Sequence, residues 1–536
     1  MRYVSFITAI SLALIGAPAF AQESDGAGTV PDGSHSEAGV SASEEPSAGH
    51  AMHGERADGP PDLLPHVGNG GFPIATEVPE AQAFFDNGMA LYMAFSHDEA
   101  TAAMAEAVRL DPACAMCRWG HALSLGPTLN YGRDADARVA AYAEVVEGQK
   151  LAKSGGDAFE AAMLDTLAMR FKPKGDVEQR DKAYAQAMTA LAARWPDRDT
   201  LQVLAADALM VATDWDDPDM SQPIALIEPV LARNPDDTGA IHFYIHATEI
   251  AGTPELAAPY ADRLDAMRLN ASHLVHMPSH TWYWIGRYQD AADANRRAVM
   301  IGEHQAMTLP PDTEGGVWTI PYHAHNVIFG LGGAMMAGDS RTALMLGRPL
   351  VEYSQGQEKG SPVRQLLSAA GYFALGRFED PKVVLSLPEP KLPYLAAARH
   401  YARGEAYAFL NDLAGMRTEI AAIPPIVKER ESDEELSAPE QMLTITRAVL
   451  MGRLAMLEGR YRDAAAAFAE AAIVEETEDF SQFSDPPAFW YPVRRDLALA
   501  LQAAGDSDGA IREARKTLEI RPLDPVATEL LADLGG

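Results

Sequence analysis

The sequence predicts an all-α chain folded as a solenoid of stacked helical hairpins, and three observations carry that expectation. From about Glu80 onward Ala and Leu recur at helical spacing. Turn signals return every few dozen residues, the mark of an internal repeat. No run of alternating β-type residues interrupts them, and a chain of 536 residues that is 47% hydrophobic holds enough apolar material for a large folded body.

The repeats can be read residue by residue. In Ala81 to Pro112, small or apolar residues fall at Gly88, Leu91, Ala100, Met104 and Ala107, and Pro112 closes the unit. These are the offsets of the roughly 34-residue tetratricopeptide (TPR) repeat. The pattern returns with Ser279, Trp282, Ala291 and Ala298 around the turn Gly286–Asp290. It returns again with Gly452, Ala455, Ala464, Phe468 and Ala471 around Gly459–Asp463, and with Ala498, Leu501, Ala510 and Pro522. Small residues at a helix crossing let the axes approach, and glycine in the turn reverses the chain at little steric cost. Weaker copies span Leu366–Pro381 and Ala396–Ile423. The expected architecture is therefore a TPR-like α-solenoid of about ten hairpins, several degenerate, each burying the apolar face of its neighbour. It divides into an N-terminal solenoid over 75–345 and a C-terminal one over 346–536.

Ahead of the repeats, Met1–Ala21 reads as a secretory signal: Arg2, an apolar run Phe6–Gly16, and Ala19-Phe20-Ala21 as the cleavage site. Residues 22–74 are expected to be a disordered linker, since Gly, Ser, Glu, Pro and Ala dominate and bury too little surface to offset ordering entropy. His50, Met52 and His53 in that linker are soft or borderline ligands by type, with an ordinary linker as the plainer reading. No later apolar stretch reaches the roughly 20 residues needed to span a bilayer, so membrane insertion is not expected. The expected location is the periplasm, with secretion as the alternative. Lys and Arg number 43 against 76 Asp and Glu, a formal charge of −33, which argues against nucleic acid and anionic membrane surfaces as partners. The acidic stretch Glu429–Glu440 and the segment Glu475–Pro487 read as surface loops without function.

The histidines are clustered. There are 15 in the chain, and eight fall between His242 and His325 (242, 246, 273, 276, 280, 304, 323 and 325), where even spacing would put about two. His242 and His246, four apart in an apolar-aromatic run, share one helix face, and Glu249 joins them as a third ligand, a general base or a salt-bridge partner. Residue 243 is Phe, so the His-Glu-x-x-His pattern of zinc peptidases is absent. His273, His276 and His280 would align on an unbroken helix, but Pro278 is expected in a first turn, with His273 and His276 on the segment entering it. His323 and His325 are two apart, so only one is expected to face the others. Stacked hairpins bring groups 30 to 40 residues apart side by side, so these seven histidines are candidate ligands of one pocket. Neutral imidazole suits a transition ion, zinc or copper foremost. The competing reading is a polar seam of histidines bonded to backbone and carboxylates. Phe243, Tyr244, Trp282, Tyr283, Trp284 and Tyr322 are the expected aromatic wall.

A secondary group lies at Cys114, Cys117 and His121, three and four apart on one helix face. Arg118 follows the second cysteine, which excludes c-type haem attachment, and a thioredoxin-like role lacks its βαβ context. A disulfide, a thiolate metal or exchange site, and small packing residues remain open.

The elements Phe95–Ala100, Asp111–Gly120 with Leu125–Asn130, and His273–His280 (His-Leu-Val-His-Met-Pro-Ser-His) resemble a group of exported bacterial TPR proteins over about 75–345. The resemblance implies fold and export without an established reaction. It adds His97, at the first hairpin turn, to the candidates, and the chain departs from the group at Thr128, where Asn is frequent. The functional expectation is an exported TPR scaffold for a protein or peptide partner with a His-lined transition-metal pocket. The alternative is a metal-dependent hydrolase or oxidoreductase, with Glu249 as base, or a metal-binding or delivery protein.

Overall fold

The computed structural model describes residues 60–155, 157–425 and 436–535. The expected signal Met1–Ala21, the His50–His53 cluster and most of Glu429–Glu440 lie outside them. Within the described residues the chain is helical throughout, with two isolated β-bridges, Thr128 to Tyr131 and Ser484 to Pro487, and no strand. No described helix is long and apolar enough to cross a membrane.

Consecutive helices pair and stack as a TPR-like α-solenoid, from Pro79–Met93 with His97–Leu110 to Arg494–Ala503 with Ser507–Ile520. The expected degeneracy is visible in shortened partners such as Ala258–Ala266 and Pro381–Ser386. One turn recurs. A left-handed residue (Phe95, Gly286, Gly338, Asn411, Gly459 or Gly505) ends the first helix of a hairpin. The next amide then donates back to the carbonyl five residues earlier, as from Arg287 to Trp282 at 2.8 Å and from Arg460 to Ala455 at 2.8 Å. This Schellman-type closure satisfies end carbonyls and sets the reversal, and it explains why Gly stands at most of these turns. Many second helices then open on an aspartate cap, as at Asp339, Asp412 and Asp506.

Helix crossings use the small residues. A Cβ on Gly88 would meet Met104, and one on Gly452 would meet Phe468. At Gly333 the approach is to backbone: a Cβ would sit 2.9 Å from the Ala292 nitrogen and 3.0 Å from the Tyr288 oxygen. Helix His323–Ala337 therefore lies directly against Tyr288–Ala306.

Two helices lose the one-sided burial of a surface hairpin. Every residue of Thr238–Ile250 is buried, as are all of His323–Ala337 except Ala324 and Ala337. A helix apolar all round belongs in an interior, and both are enclosed from outside the repeat. Residues 63–74, grouped by composition with the linker, instead dock on the body. Asn69 Nδ2 donates to Asp236 O (2.8 Å), Thr238 N donates to Asn69 Oδ1 (2.9 Å), and Asn69 N donates to Thr238 Oγ1 (2.9 Å), with Val67 buried beside them. Backbone pairing supplies what the low hydrophobicity does not. From the other side the C-terminal hairpins return: Tyr288 Oη donates to Pro522 O at 2.7 Å, and the core runs unbroken from Val67 to Ala500.

Gly333→Val is expected to lower stability by about 1–3 kcal/mol through overpacking against backbone that cannot yield. The check is the denaturation midpoint; an unchanged midpoint would contradict the direct helix contact.

Candidate metal centre

Helix Thr238–Ile250 supplies His242, His246 and Glu249, one turn apart along one face. The chain at Ser272–Trp284 supplies three more. As expected, Pro278 stands in the first turn of Pro278–Trp284 with His273 and His276 on the segment entering it, and that segment, Ser272–His276, is itself helical. Met277 keeps helical angles (φ −50°, ψ −40°), and Pro278 sits at the start of the continuing helix, where its missing amide matters little. His273, His276 and His280 thus stay aligned, with ring centroids 5.6 Å apart between the first two and 4.7 Å between the last two. Helix His323–Ala337 adds His325, whose ring lies 4.6 Å from that of His276.

Six imidazoles therefore meet in the interior, all buried. His242, His246 and His273 present ligand atoms within 4.8 Å of one another, and so do His276, His280 and His325. His323, two residues before His325, points away, toward Gly302 and Trp318, and belongs to neither set. His97 is buried outside them as well, with Nε2 3.2 Å from the Tyr322 hydroxyl and its ring stacked on Tyr131.

The outward nitrogens are fixed by their partners. His276 Nδ1 donates to Asn295 Oδ1 (2.7 Å), and Asn295 Nδ2 donates to Ala291 O (2.8 Å), which orients the amide. His280 Nδ1 donates to Glu249 Oε2 (2.8 Å), and Trp284 Nε1 donates to Glu249 Oε1 (2.7 Å). His242 Nδ1 donates to Met93 O at 2.6 Å. With Nδ1 holding the proton, the neutral ring presents a lone pair at Nε2. The Nε2 atoms meet in pairs, His276 to His280 at 2.8 Å, His276 to His325 at 3.0 Å and His242 to His273 at 3.1 Å, and since Nδ1 of His273 and of His325 has no partner, either ring can donate from Nε2 across its contact. His246 has no partner at either nitrogen, although it is fully buried.

Burial disfavours the imidazolium form. It holds His242 and His325 down to about 3, and pushes His246, His273 and His276 well below the usual histidine range, with neighbouring rings adding to the effect. His280 is the exception: burial pulls it down, but the Glu249 and Asp485 carboxylates outweigh that and hold it at about 9. Asp485, 3.4 Å from His280 Nδ1, is itself pushed up to about 7 by burial against the pull of that ring. One proton on His280 satisfies its contact with His276 alone. A cation among three Nε2 atoms satisfies all of them.

Glu249 accepts at both oxygens, from His280 Nδ1 and Trp284 Nε1, and its carboxylate also groups with His246 and His280 within 4.8 Å. The expected aromatic wall is met in part. Phe243 stacks on His242 and Tyr322 lies against His273, joined by Phe95 and Phe329, whereas Tyr244 faces Glu228 and Tyr260 and Trp282 donates to Asp262. Cys114 and Cys117 form a disulfide, so their sulfurs are not available as ligands, and His121 faces Glu144 at 3.4 Å. Asn295, Asp485, Phe95 and Phe329 escaped the sequence reading. The offset of Asn295, four residues after Ala291 in a repeat helix, carries no chemical signal, and Asp485 arrives from a loop more than 200 residues beyond His280.

No protein-family model matches the sequence, and no curated protein matches it. Among solved structures, the chain is similar to the APC/C hetero-tetramer Cut9–Hcn1 (15% identity, TM-score 0.29, covering 85% of this chain and 76% of that one). It is also similar to yeast Tom70 (11% identity, TM-score 0.28, 86% and 89%) and to the P58(IPK) TPR domain (13% identity, TM-score 0.23, 80% and 99%). The solenoid description rests on the chain's own hairpins.

Asn295→Leu removes the group that holds the His276 proton at Nδ1, and is expected to weaken transition-metal affinity by about 10–100-fold with helicity unchanged. Titration with the metal alone, followed by circular dichroism, tests this; equal affinity would show that Asn295 does not orient the ring.

Proposed function

We propose that the protein is an exported helical-repeat metalloprotein that binds a transition ion, zinc or copper, on His276, His280 and His325. The observation that carries this is the meeting of three buried Nε2 atoms, with His280 at 2.8 Å and His325 at 3.0 Å from that of His276. Two of those rings have Nδ1 bound to an acceptor, Asn295 and Glu249. Three imidazoles backed by a carboxylate are the donor set of an open transition-metal site, in which a fourth position is left for a further ligand. Burial holds His276 and His325 neutral and ready to bind, whereas His280, held at about 9 by its two carboxylates, releases a proton to the incoming ion.

The rest of the reading is coarser. The apolar run Phe6–Gly16 supports export, and the Cys114–Cys117 disulfide favours an oxidising compartment, the periplasm before the outside medium. A protein or peptide partner along the solenoid is supported by the general behaviour of stacked helical repeats. Storage, delivery and catalysis all need the ion first.

Elemental analysis of the purified mature protein should find stoichiometric zinc or copper, and His276→Ala with His325→Ala should empty the site. Stripping the ion with a chelator should lower the thermal midpoint, because a ligand of the folded state alone stabilises it. Background metal in both wild type and double variant would end this reading.

A further inference from the structure

His242, His246 and His273 have no role in the three-histidine site just described. We infer that they hold a second ion beside the first, so that the interior is a two-metal centre of six imidazoles and the pair it takes is copper. This rests on the first site being a metal site.

Three observations point there. His246 is fully buried with both ring nitrogens unpaired, and an unsatisfied buried polar atom is costly enough to demand a partner. His242 has Nδ1 committed to Met93 O, so its Nε2 presents a lone pair to His273 Nε2 at 3.1 Å. The nitrogens of all three fall within 4.8 Å of one another, as those of the first set do. Two imidazoles alone could share one proton; His246 gains nothing from that arrangement.

The sets are adjacent, and His246 and His280, one from each, group with Glu249 within 4.8 Å across the boundary. Rings approach across the gap at His246–His280 (5.3 Å) and His273–His276 (5.6 Å), while the close nitrogen contacts at 2.8–3.1 Å run within each set. One ion does not reach six such nitrogens at bonding length, about 2.0–2.1 Å for imidazole. Two ions do, at the spacing of known two-metal sites, about 3.5–4 Å.

The donor type selects the metal. All six ligands are imidazoles, which suit zinc, copper, iron and nickel, and the general order of affinity at nitrogen sites peaks at copper.

The test loads metal-free mature protein with Cu(I) without oxygen and counts bound copper. Wild type should hold two per chain, and His246→Phe, which fills the space without a donor, should hold one. Ferricyanide then oxidises each Cu(I) to Cu(II), taking one electron per ion. The wild-type electron paramagnetic resonance spectrum should show two interacting spins, and the variant a simple mononuclear signal. One copper in both proteins, two in both, or two magnetically isolated spins in wild type would overturn the two-metal centre and leave the first site standing. No copper or zinc bound at all would remove both. His246→Leu, with circular dichroism on each protein, separates loss of a ligand from loss of fold.

Discussion

Six buried imidazoles crowd into one cavity with more ring nitrogens than hydrogen-bond partners, and the interior of this protein is organised around that imbalance. Three rings are held at Nδ1 by an acceptor on the far side, Met93 O for His242, Asn295 Oδ1 for His276 and Glu249 Oε2 for His280, whereas Nδ1 of His246, His273 and His325 has no partner. Phe95, Tyr322 and Phe329 occupy the walls. The high setting of His280 is the protein's own partial answer, a single proton shared with His276.

The repeat architecture makes such a cavity possible. Helices brought close by Gly330 and Gly333 set the His323–Ala337 helix against Asn295 and Ala292, so that a ring from one hairpin and its orienting amide from another meet across a crossing. Ordinary hairpins expose one face of each helix. Here Thr238–Ile250 is closed off by residues 63–74 at its N-terminal end, where Asn69 clasps Thr238, and by the aromatic rings on its flank.

Much of this was legible in the sequence. The 34-residue offsets, the excess of histidine between 242 and 325, and the one-turn spacing of His242 and His246 each follow from local periodicity, which the chain displays directly. That His325 and not His323 would face the cluster needed the helix phase, which two residues of separation leave undetermined until the first helical residue is known. Pro278 marked a helix start correctly, but a proline signals a start equally well when the preceding turn is helical, so the alignment of all three rings was not legible from it. Asn295 and Asp485 were invisible for a different reason: their meaning lies wholly in contacts made across the fold.

The carboxylate of Asp485 sits on a loop about 160 residues beyond His325, and it is buried against His280. One of the two acids on that ring is therefore supplied by the C-terminal arm, whereas every imidazole comes from upstream of it. A chain ending before Asp485 would keep all six rings and lose one of the carboxylates that hold His280 up, so the arm tunes the basicity of a ring it does not carry.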